Sequence, residues 1–441
     1  MRIAMIGGGY VGLVSGACFA EFGSDVVVVE ADPAKLEMLR EGHIPIYEPG
    51  LEKIVDGNVA AGRLSFTDDL GASLDDVDAV FIAVGTPSRR GGGHADLTYV
   101  YEAARQIARA AKSDLVVVTK STVPVGTGRE VARILAEERP DRTFSVASNP
   151  EFLREGDAIG DFMRPDRVII GIDRTDHAAG VRAEEVMRAL YRPLYRIETP
   201  VVITDLETAE LTKYAANAFL AMKITFINEM ADICEKVGAN VHDVAKGMGL
   251  DQRIGKYFLH PGPGYGGSCF PKDTRALTAI GEDAGAPSQL VAATVAVNEA
   301  RKKAMAERII AEAGGDVSGK VIGILGLTFK PQTDDMREAS SLPILARLKD
   351  AGAVLQAYDP QGMNAARSLL PAEVIYAPDA LTAITGADVL VVLTEWSEFR
   401  ALSPSRLRDL MRGKIIADLR NIWDPAEMRE AGFDYRSIGR P

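Results

Sequence analysis

Cysteine is scarce in this chain of 441 residues: only Cys18, Cys234 and Cys269 occur, far apart and with no C-x-x-C pair. An odd, scattered set excludes a disulfide framework and a thiolate metal site, and fits reduced thiols. Histidine is sparse too, five residues without ligand spacing, so no metal is expected. No apolar run approaches the ~20 residues that a membrane span requires. Met1-Arg-Ile3 opens directly into a strand, so no signal peptide is expected. Basic residues are outnumbered, 50 Lys and Arg against 62 Asp and Glu, for a formal net charge of −12. That balance argues against non-specific binding to nucleic acid or an anionic membrane. Any anionic ligand must therefore meet locally clustered Lys and Arg. With 47% hydrophobic residues the composition is that of an ordinary globular protein, and a cytoplasmic location is expected.

Glycine is plentiful, and its placement carries chemistry. Arg2 to Ile6 reads as a strand, followed at once by Gly7-Gly-Gly9-Tyr-Val-Gly12 and a small-residue helix through about Phe22. Val26 to Val29 reads as a second strand ending in Glu30. This is the dinucleotide-binding pattern with its full context. Gly7 makes the tight turn, Gly9 admits a diphosphate, and Gly12 lets the helix close on the sheet. Glu30 can accept hydrogen bonds from ribose hydroxyls and repel a 2′-phosphate, which favours NAD over NADP.

A second glycine-rich stretch, Tyr257 to Gly267, leads into Ser268-Cys-Phe-Pro-Lys-Asp273. Pro271 suits the first position of a helix, which would set Cys269 just before its N-terminus. The helix end and Lys272 both favour thiolate, the reactive form. Asp273 would lie one turn on, on the same face. Thiol, lysine and carboxylate so presented fit covalent catalysis; a buried, inert cysteine in a turn is the bland alternative.

Alternating strands and helices predict two Rossmann-like doubly wound α/β units joined by helices. Apolar runs at Ala79–Val84, Leu115–Thr119 and Phe144–Ala147 place Thr86, Thr122, Glu151 and Glu155 at strand carboxyl ends. Ligands bind there in such sheets, although turn and cap chemistry also explains these residues. Leu206 to Val237 reads as one long helix, with Leu211, Ala215, Ala218, Met222, Phe226 and Met230 recurring at helical spacing. Lys213 and Asn217 share another face, either solvated or functional. A second sheet is expected from Val321, without the full glycine pattern. The expected domains are 1–200, 201–312 and 313–441.

Seven motifs in order resemble one family: Gly7-Gly-Gly-Tyr-Val-Gly12, Gly85-Thr-Pro87, Ser121-Thr-Val-Pro124, Asn149-Pro-Glu-Phe-Leu153, Glu210-Leu-Thr-Lys-Tyr-Ala-Ala-Asn217, Gly266-Gly-Ser-Cys-Phe-Pro-Lys-Asp273 and Phe329-Lys-Pro-Gln-Thr-Asp-Asp-Met-Arg337. Together they are similar to the UDP-glucose/GDP-mannose dehydrogenase family over nearly the whole chain. Ser340 departs from it, where many members have proline. The resemblance implies oxidation of a nucleotide sugar's primary alcohol to the carboxylate, with two NAD+ reduced. Cys269 would form a thiohemiacetal and then a thioester. Lys213 and Asn217 would hold the oxyanion, and Asp273, Thr122 and Glu151 would serve water activation; which group is the principal base stays open.

By the same resemblance, NAD would meet Val11, Lys35, Thr86, Thr122, Glu155, Lys272 and Arg337 besides the glycines and Glu30. Substrate would meet Glu151, Phe152, Leu153, Lys213, Asn217, Phe258, Leu259, His260, Gly262, Gly266 and Lys330. Arg253 would reach a neighbouring subunit's site, and Arg420 is a candidate for the diphosphate. A dimer through the long helix is implied. UDP-glucose is the expected substrate, with GDP-mannose or a UDP-N-acetylhexosamine as alternatives. A nucleotide-sensing protein without turnover is the reading from another class.

Overall fold

The computed structural model describes residues 1–89 and 93–441. The chain divides into two compact units, Met1–Ala216 and Asn217–Pro441. Unit 1 holds β1 (Arg2–Ile6), β2 (Asp25–Val29), β3 (Leu64–Thr67), β4 (Ala79–Ile82), β5 (Leu115–Thr119), β6 (Phe144–Ser148), β7 (Val168–Ile172) and β8 (Val201–Asp205). They form one sheet in the order β3-β2-β1-β4-β5-β6-β7-β8, parallel except for the β6–β7 pair. Its first six strands follow the doubly wound order, with helical crossovers covering both faces. β4 and β5 are accordingly buried along their whole length and read as unbroken apolar runs.

Unit 2 repeats the plan. β9 (Val321–Leu325), β10 (Val354–Tyr358), β11 (Ile375–Tyr376), β12 (Val389–Val392), β13 (Ile415–Asp418) and β14 (Asp434–Ser437) pair in parallel in the order β11-β10-β9-β12-β13-β14. The first-strand exits match closely. Gly7 has φ +107° and its N–H donates to the Val29 carbonyl at 2.8 Å; Gly326 has φ +90° and donates to the Tyr358 carbonyl at 2.8 Å. The units then diverge. A helix (Tyr10–Glu21) starts three residues after Gly7, whereas after Gly326 the chain loops until the helix Ser341–Asp350. The missing glycine pattern thus marks a real change of architecture, from a phosphate cradle to a long loop carrying Lys330.

The long central helix spans Leu206–Val237, as its periodicity predicts. Its faces are not those of an ordinary amphipathic helix. Lys213 and Asn217 are buried, 2% and 7% exposed, while Leu211, Phe219, Phe226, Ile233 and Val237 are exposed. The recurring set Leu211 to Met230 is therefore not a single core face: Ala218 is buried, but Leu211, Ala215 and Phe226 are exposed. Lys213 and Asn217 share the buried side with Tyr214, Ala218 and Ala221 because each finds a buried carboxylate partner, Glu151 and Asp273 respectively. No helix among the described residues is long and apolar enough to cross a membrane.

Candidate active site

Glycine builds a cradle at the end of β1. A Cβ on Gly7 would lie 2.7 Å from the Ala83 carbonyl oxygen, and one on Gly12 would lie 1.9 Å from the Gly7 oxygen. Gly9, the N-cap of the first helix, faces open space. That space lies on the helix's N–H end, where a diphosphate is stabilised by unpaired donors and the dipole. Glu30 fixes the loop, accepting the Gly8 N–H at 3.0 Å and the Asp32 N–H at 2.8 Å. Each carboxylate oxygen keeps a lone pair for a ribose hydroxyl. The residues fit a dinucleotide lacking a 2′-phosphate. Lys35 is exposed on the next helix.

Four further residues of unit 1 meet at the ends of β4, β5 and β6 and on the central helix. The Thr86 hydroxyl donates to the Thr122 carbonyl at 3.0 Å, and the Thr122 hydroxyl donates to Glu151 Oε1 at 3.4 Å. Lys213 Nζ donates to the same oxygen at 3.0 Å, while the Leu153 N–H donates to Oε2 at 2.6 Å. Burial is the largest influence on Glu151 and opposes ionisation. Lys213, the Leu153 N–H and Lys120 together outweigh it and hold the carboxyl below its usual range. The Phe152 ring lies 5.3 Å from Lys213 Nζ and 3.7 Å from the Arg167 guanidinium, a cation–π floor under the lysine.

In unit 2, Cys269 is the N-cap of the helix Phe270–Asp283, and the Asp273 N–H donates to its carbonyl at 2.8 Å. Pro271 is the second helical residue, not the first, since Phe270 already has helical geometry. Cys269 is partly exposed, with the Ser268 hydroxyl 3.5 Å from Sγ. Asp273 is buried; one oxygen accepts from Asn217 Nδ2 at 2.6 Å and the other lies 2.8 Å from Lys272 Nζ. Lys272 thus forms an ion pair with Asp273. The other two cysteines are buried, and burial pushes the Cys18 thiol up to about 12.

The glycine stretch before Cys269 is hydrogen-bonded like a strand, with side chains as partners. Asn228 Oδ1 accepts the Gly262 N–H at 2.8 Å and Arg301 Nε donates to the Gly262 carbonyl at 2.8 Å. Asn298 takes the Tyr265 N–H at 2.8 Å and donates to its carbonyl at 3.1 Å. Ser340, which lies outside the expected chemistry, donates to the Gly264 carbonyl at 3.3 Å, a bond that proline could not make. A Cβ on Gly267 would strike the Phe329 ring at 2.7 Å, and one on Gly262 would lie 3.1 Å from Arg420 Nη1. Arg420 also donates to the Phe329 carbonyl at 3.0 Å. A Cβ on Gly266 would lie 3.1 Å from the Phe329 side chain, so Gly262, Gly266, Phe329 and Arg420 form one cluster, with Lys330 next to Phe329 in the chain.

Among the other expected site residues, Arg337 meets the glycine stretch, its carbonyl accepting the Gly267 N–H at 2.8 Å. Leu259 sends its side chain into the unit 2 core, leaving only its backbone for a ligand. Phe258, at φ +63°, sets its ring 6.0 Å from that of Phe270. His260 is exposed, and Arg253 is exposed and paired with Asp251 at 2.6 Å. Arg337 pairs with Asp335 at 2.8 Å. Glu155 lies near Tyr10, where its charge adds to burial and to Glu48 in pushing the phenol up. Glu48 escaped the sequence reading: it accepts from Tyr10 and from the Gly156 and Ala158 N–H groups at 2.7 and 2.8 Å. Asn228, Asn298 and Arg301 escaped too, since nothing local in a helix says that a polar residue will grip a distant loop.

A complete dinucleotide cradle, a second Rossmann-like sheet and a cysteine at a helix start define a dinucleotide-dependent oxidoreductase with a thiol. Three models of one family match the chain: its NAD binding domain over residues 1–195, its central domain over 207–300 and its UDP binding domain over 323–425. A UDP-glucose 6-dehydrogenase of Rhizobium meliloti (strain 1021) is 59% identical over the full length of both chains. Among solved structures, a UDP-glucose dehydrogenase from Pyrobaculum islandicum matches with a TM-score of 0.90 at 38% identity, over 100% of this chain and 98% of that one. A UDP-D-ManNAc dehydrogenase from Pyrococcus horikoshii matches at 0.85 and 28%, over 100% and 99%. This chain belongs to the UDP-glucose/GDP-mannose dehydrogenase family.

Proposed function

We propose that the protein oxidises UDP-glucose to UDP-glucuronate with NAD+, through a covalent intermediate on Cys269. Cys269 carries this reading: it is the partly exposed N-cap of a helix, one turn from an Asp273 fixed by Asn217 and Lys272. A simple alcohol dehydrogenase has no use for that thiol. Oxidation to the acid needs a tetrahedral adduct, and thiolate addition to the aldehyde carbon makes one. NAD+, when held by Gly7, Gly9, Gly12 and Glu30, supplies a hydride acceptor for each of the two oxidations. The remaining chemistry belongs to the chain. Lys213, or the Glu151 it bonds, takes the proton of the primary hydroxyl. Lys213 and the second N–H of Asn217 face the oxyanion of the thiohemiacetal. Loss of its hydrogen as hydride leaves a thioester; water then attacks the carbonyl carbon and gives its protons to Asp273 and solvent, the C–S bond breaks with its electron pair returning to the thiolate, and the carboxylate leaves.

Higher identity to UDP-glucose enzymes than to the UDP-D-ManNAc enzyme supports glucose as the sugar. Lys330 and Arg420 are the cations that an acidic chain would turn toward the diphosphate. We further infer a homodimer: Phe219, Phe226 and Ile233 repeat at heptad spacing on the exposed face of the central helix, and a second copy would bury them. A cytoplasmic enzyme supplied with NAD+ and reduced thiols fits this chemistry, as does the division at 200 and 312 into cofactor, helical and sugar-nucleotide domains. The test is NADH formation from NAD+ with a panel of nucleotide sugars. UDP-glucose should give the highest kcat/KM; preference for GDP-mannose or a UDP-N-acetylhexosamine would reassign the substrate.

A further inference from the structure

Lys120 is a buried ammonium to which the chemistry above gives no task. It follows β5, is 4% exposed, and donates to Asn149 Oδ1 at 3.0 Å and to the Tyr191 hydroxyl at 3.1 Å. The Phe162 and Tyr191 rings lie 5.7 and 5.9 Å from its nitrogen. Both hydrogen-bond partners are neutral, an unusual fate for a buried cation. Asn149 is in turn held rigidly: Tyr191 donates to its Oδ1 at 2.7 Å, and its Nδ2 donates to the Ile169 carbonyl at 2.7 Å. Two residues further on lies Glu151, the partner of Lys213. Within unit 1, Glu151 thus pairs with Lys213 directly, while the Lys120 charge acts on it through space.

We propose that Lys120 is a positioning residue of the reaction: its buried ammonium, fastened to Asn149 and Tyr191, adds positive charge beside the Glu151–Lys213 pair and so favours the neutral amine of Lys213 that accepts the proton of the substrate hydroxyl. The proposal rests on the function argued above. In that step the substrate O–H bond breaks, an N–H bond forms on Lys213, and the hydride goes to NAD+. The titratable and charged groups facing Lys120 are Glu151 from the loop after β6, Lys213 from the central helix and the Tyr191 hydroxyl; the helix Ala158–Met163 presents only the Phe162 ring. Burial is the main cause that pushes Lys120 down to about 8, with Glu151 opposing and Lys213 adding to the fall. Tyr191 is pushed up by its own burial and stays neutral. Like charges so placed lower each other's proton affinity.

The test is the pH profile of kcat/KM for NADH formation from UDP-glucose in the wild type, Lys120→Met and Asn149→Asp. Removing the Lys120 charge should let Lys213 keep its proton longer, moving the acid-side midpoint up by about one pH unit. Asn149→Asp places a carboxylate against Lys120 without changing its shape, and should move the midpoint the same way. Folded variants with lower rates but an unmoved midpoint would reduce Lys120 to a packing role and overturn the proposal. A second arm needs no variant: in wild-type enzyme carrying 13Cε-lysine, one resonance should titrate near 8, and none doing so would overturn it equally. If the wild type forms no NADH from UDP-glucose, the proposed function fails instead, while the lysine titration still reports on Lys120.

Discussion

Position, not identity, separates Cys269 from Cys18 and Cys234. The latter two are buried, and a thiol that burial raises to about 12, as for Cys18, has almost no thiolate at neutral pH. Cys269→Ser exchanges a thiolate for a hydroxyl that is barely ionised, so steady-state turnover should fall by about a hundredfold or more. A slow ester or hemiacetal adduct should appear as added mass on the intact protein. Because the change is one atom at a partly exposed helix start, stability should shift by less than about 1 kcal/mol. Near-normal turnover would refute covalent catalysis; lost activity together with a large loss of stability would favour a packing role. Glu30 supports a second expectation at this scale. Its carboxylate, fixed by the Gly8 and Asp32 N–H groups, should repel a 2′-phosphate, so NAD+ should exceed NADP+ in kcat/KM by tenfold or more, about 1.4 kcal/mol. Equal efficiency would mean that Glu30 does not face the ribose.

Among the elements, the central helix bears most of the weight. Glu210, one turn before Lys213, accepts the Gly126 and Gly128 N–H groups at 2.7 Å each and the Ser148 hydroxyl at 3.0 Å. It thereby satisfies the N-terminus of the helix Thr127–Glu138, which offers no side-chain cap of its own. Glu210→Ala leaves these three donors without that acceptor and should cost about 2–3 kcal/mol, measured by urea unfolding. Burial pushes this carboxyl up from 4.5 to about 7 despite those donors. A raised folded value means that the native state holds the proton more tightly, so this stability is full below pH 4.5 and is lost as pH rises through 7. The deficit of Glu210→Ala should therefore be larger near pH 5 than near pH 8. On the opposite face, Phe226→Glu should convert a dimer into folded monomers by light scattering, and an unchanged mass would move the interface elsewhere.

The same helix shows what a sequence can disclose. Its span follows from unbroken periodicity and the absence of Gly and Pro, and the cradle of Gly7, Gly9 and Gly12 follows from local sterics. Which face lies inward did not follow, because Lys213 and Asn217 are buried only through Glu151 and Asp273, residues remote in sequence. Asn298 and Arg301, holding the glycine stretch before Cys269, belong with them. Long-range polar partnerships leave no periodic trace.

At the scale of the whole molecule, one strand frame has been used twice for different ends. Gly7 and Gly326 leave β1 and β9 alike, but the acid after the second strand differs in its duties. Glu30 accepts one N–H on each oxygen, whereas Asp359 accepts the Leu327, Thr328, Gln361 and Gly362 N–H groups and the Trp396 indole, and has little capacity left for a ribose. Under the proposed function, the long loop of unit 2, with Lys330, meets the sugar nucleotide. Lys330→Ala should weaken UDP-glucose binding about tenfold in calorimetry while NAD+ affinity holds, a tenfold loss being about 1.4 kcal/mol. The reverse pattern would assign that loop to the cofactor.

The central claim is a four-electron oxidation through a thioester, and the stoichiometry of a completed reaction tests it most directly. With limiting UDP-glucose and excess NAD+, two NADH should form per sugar nucleotide, and the product should be UDP-glucuronate with no aldehyde in solution. One NADH per sugar nucleotide, with the aldehyde released, would contradict the covalent role of Cys269.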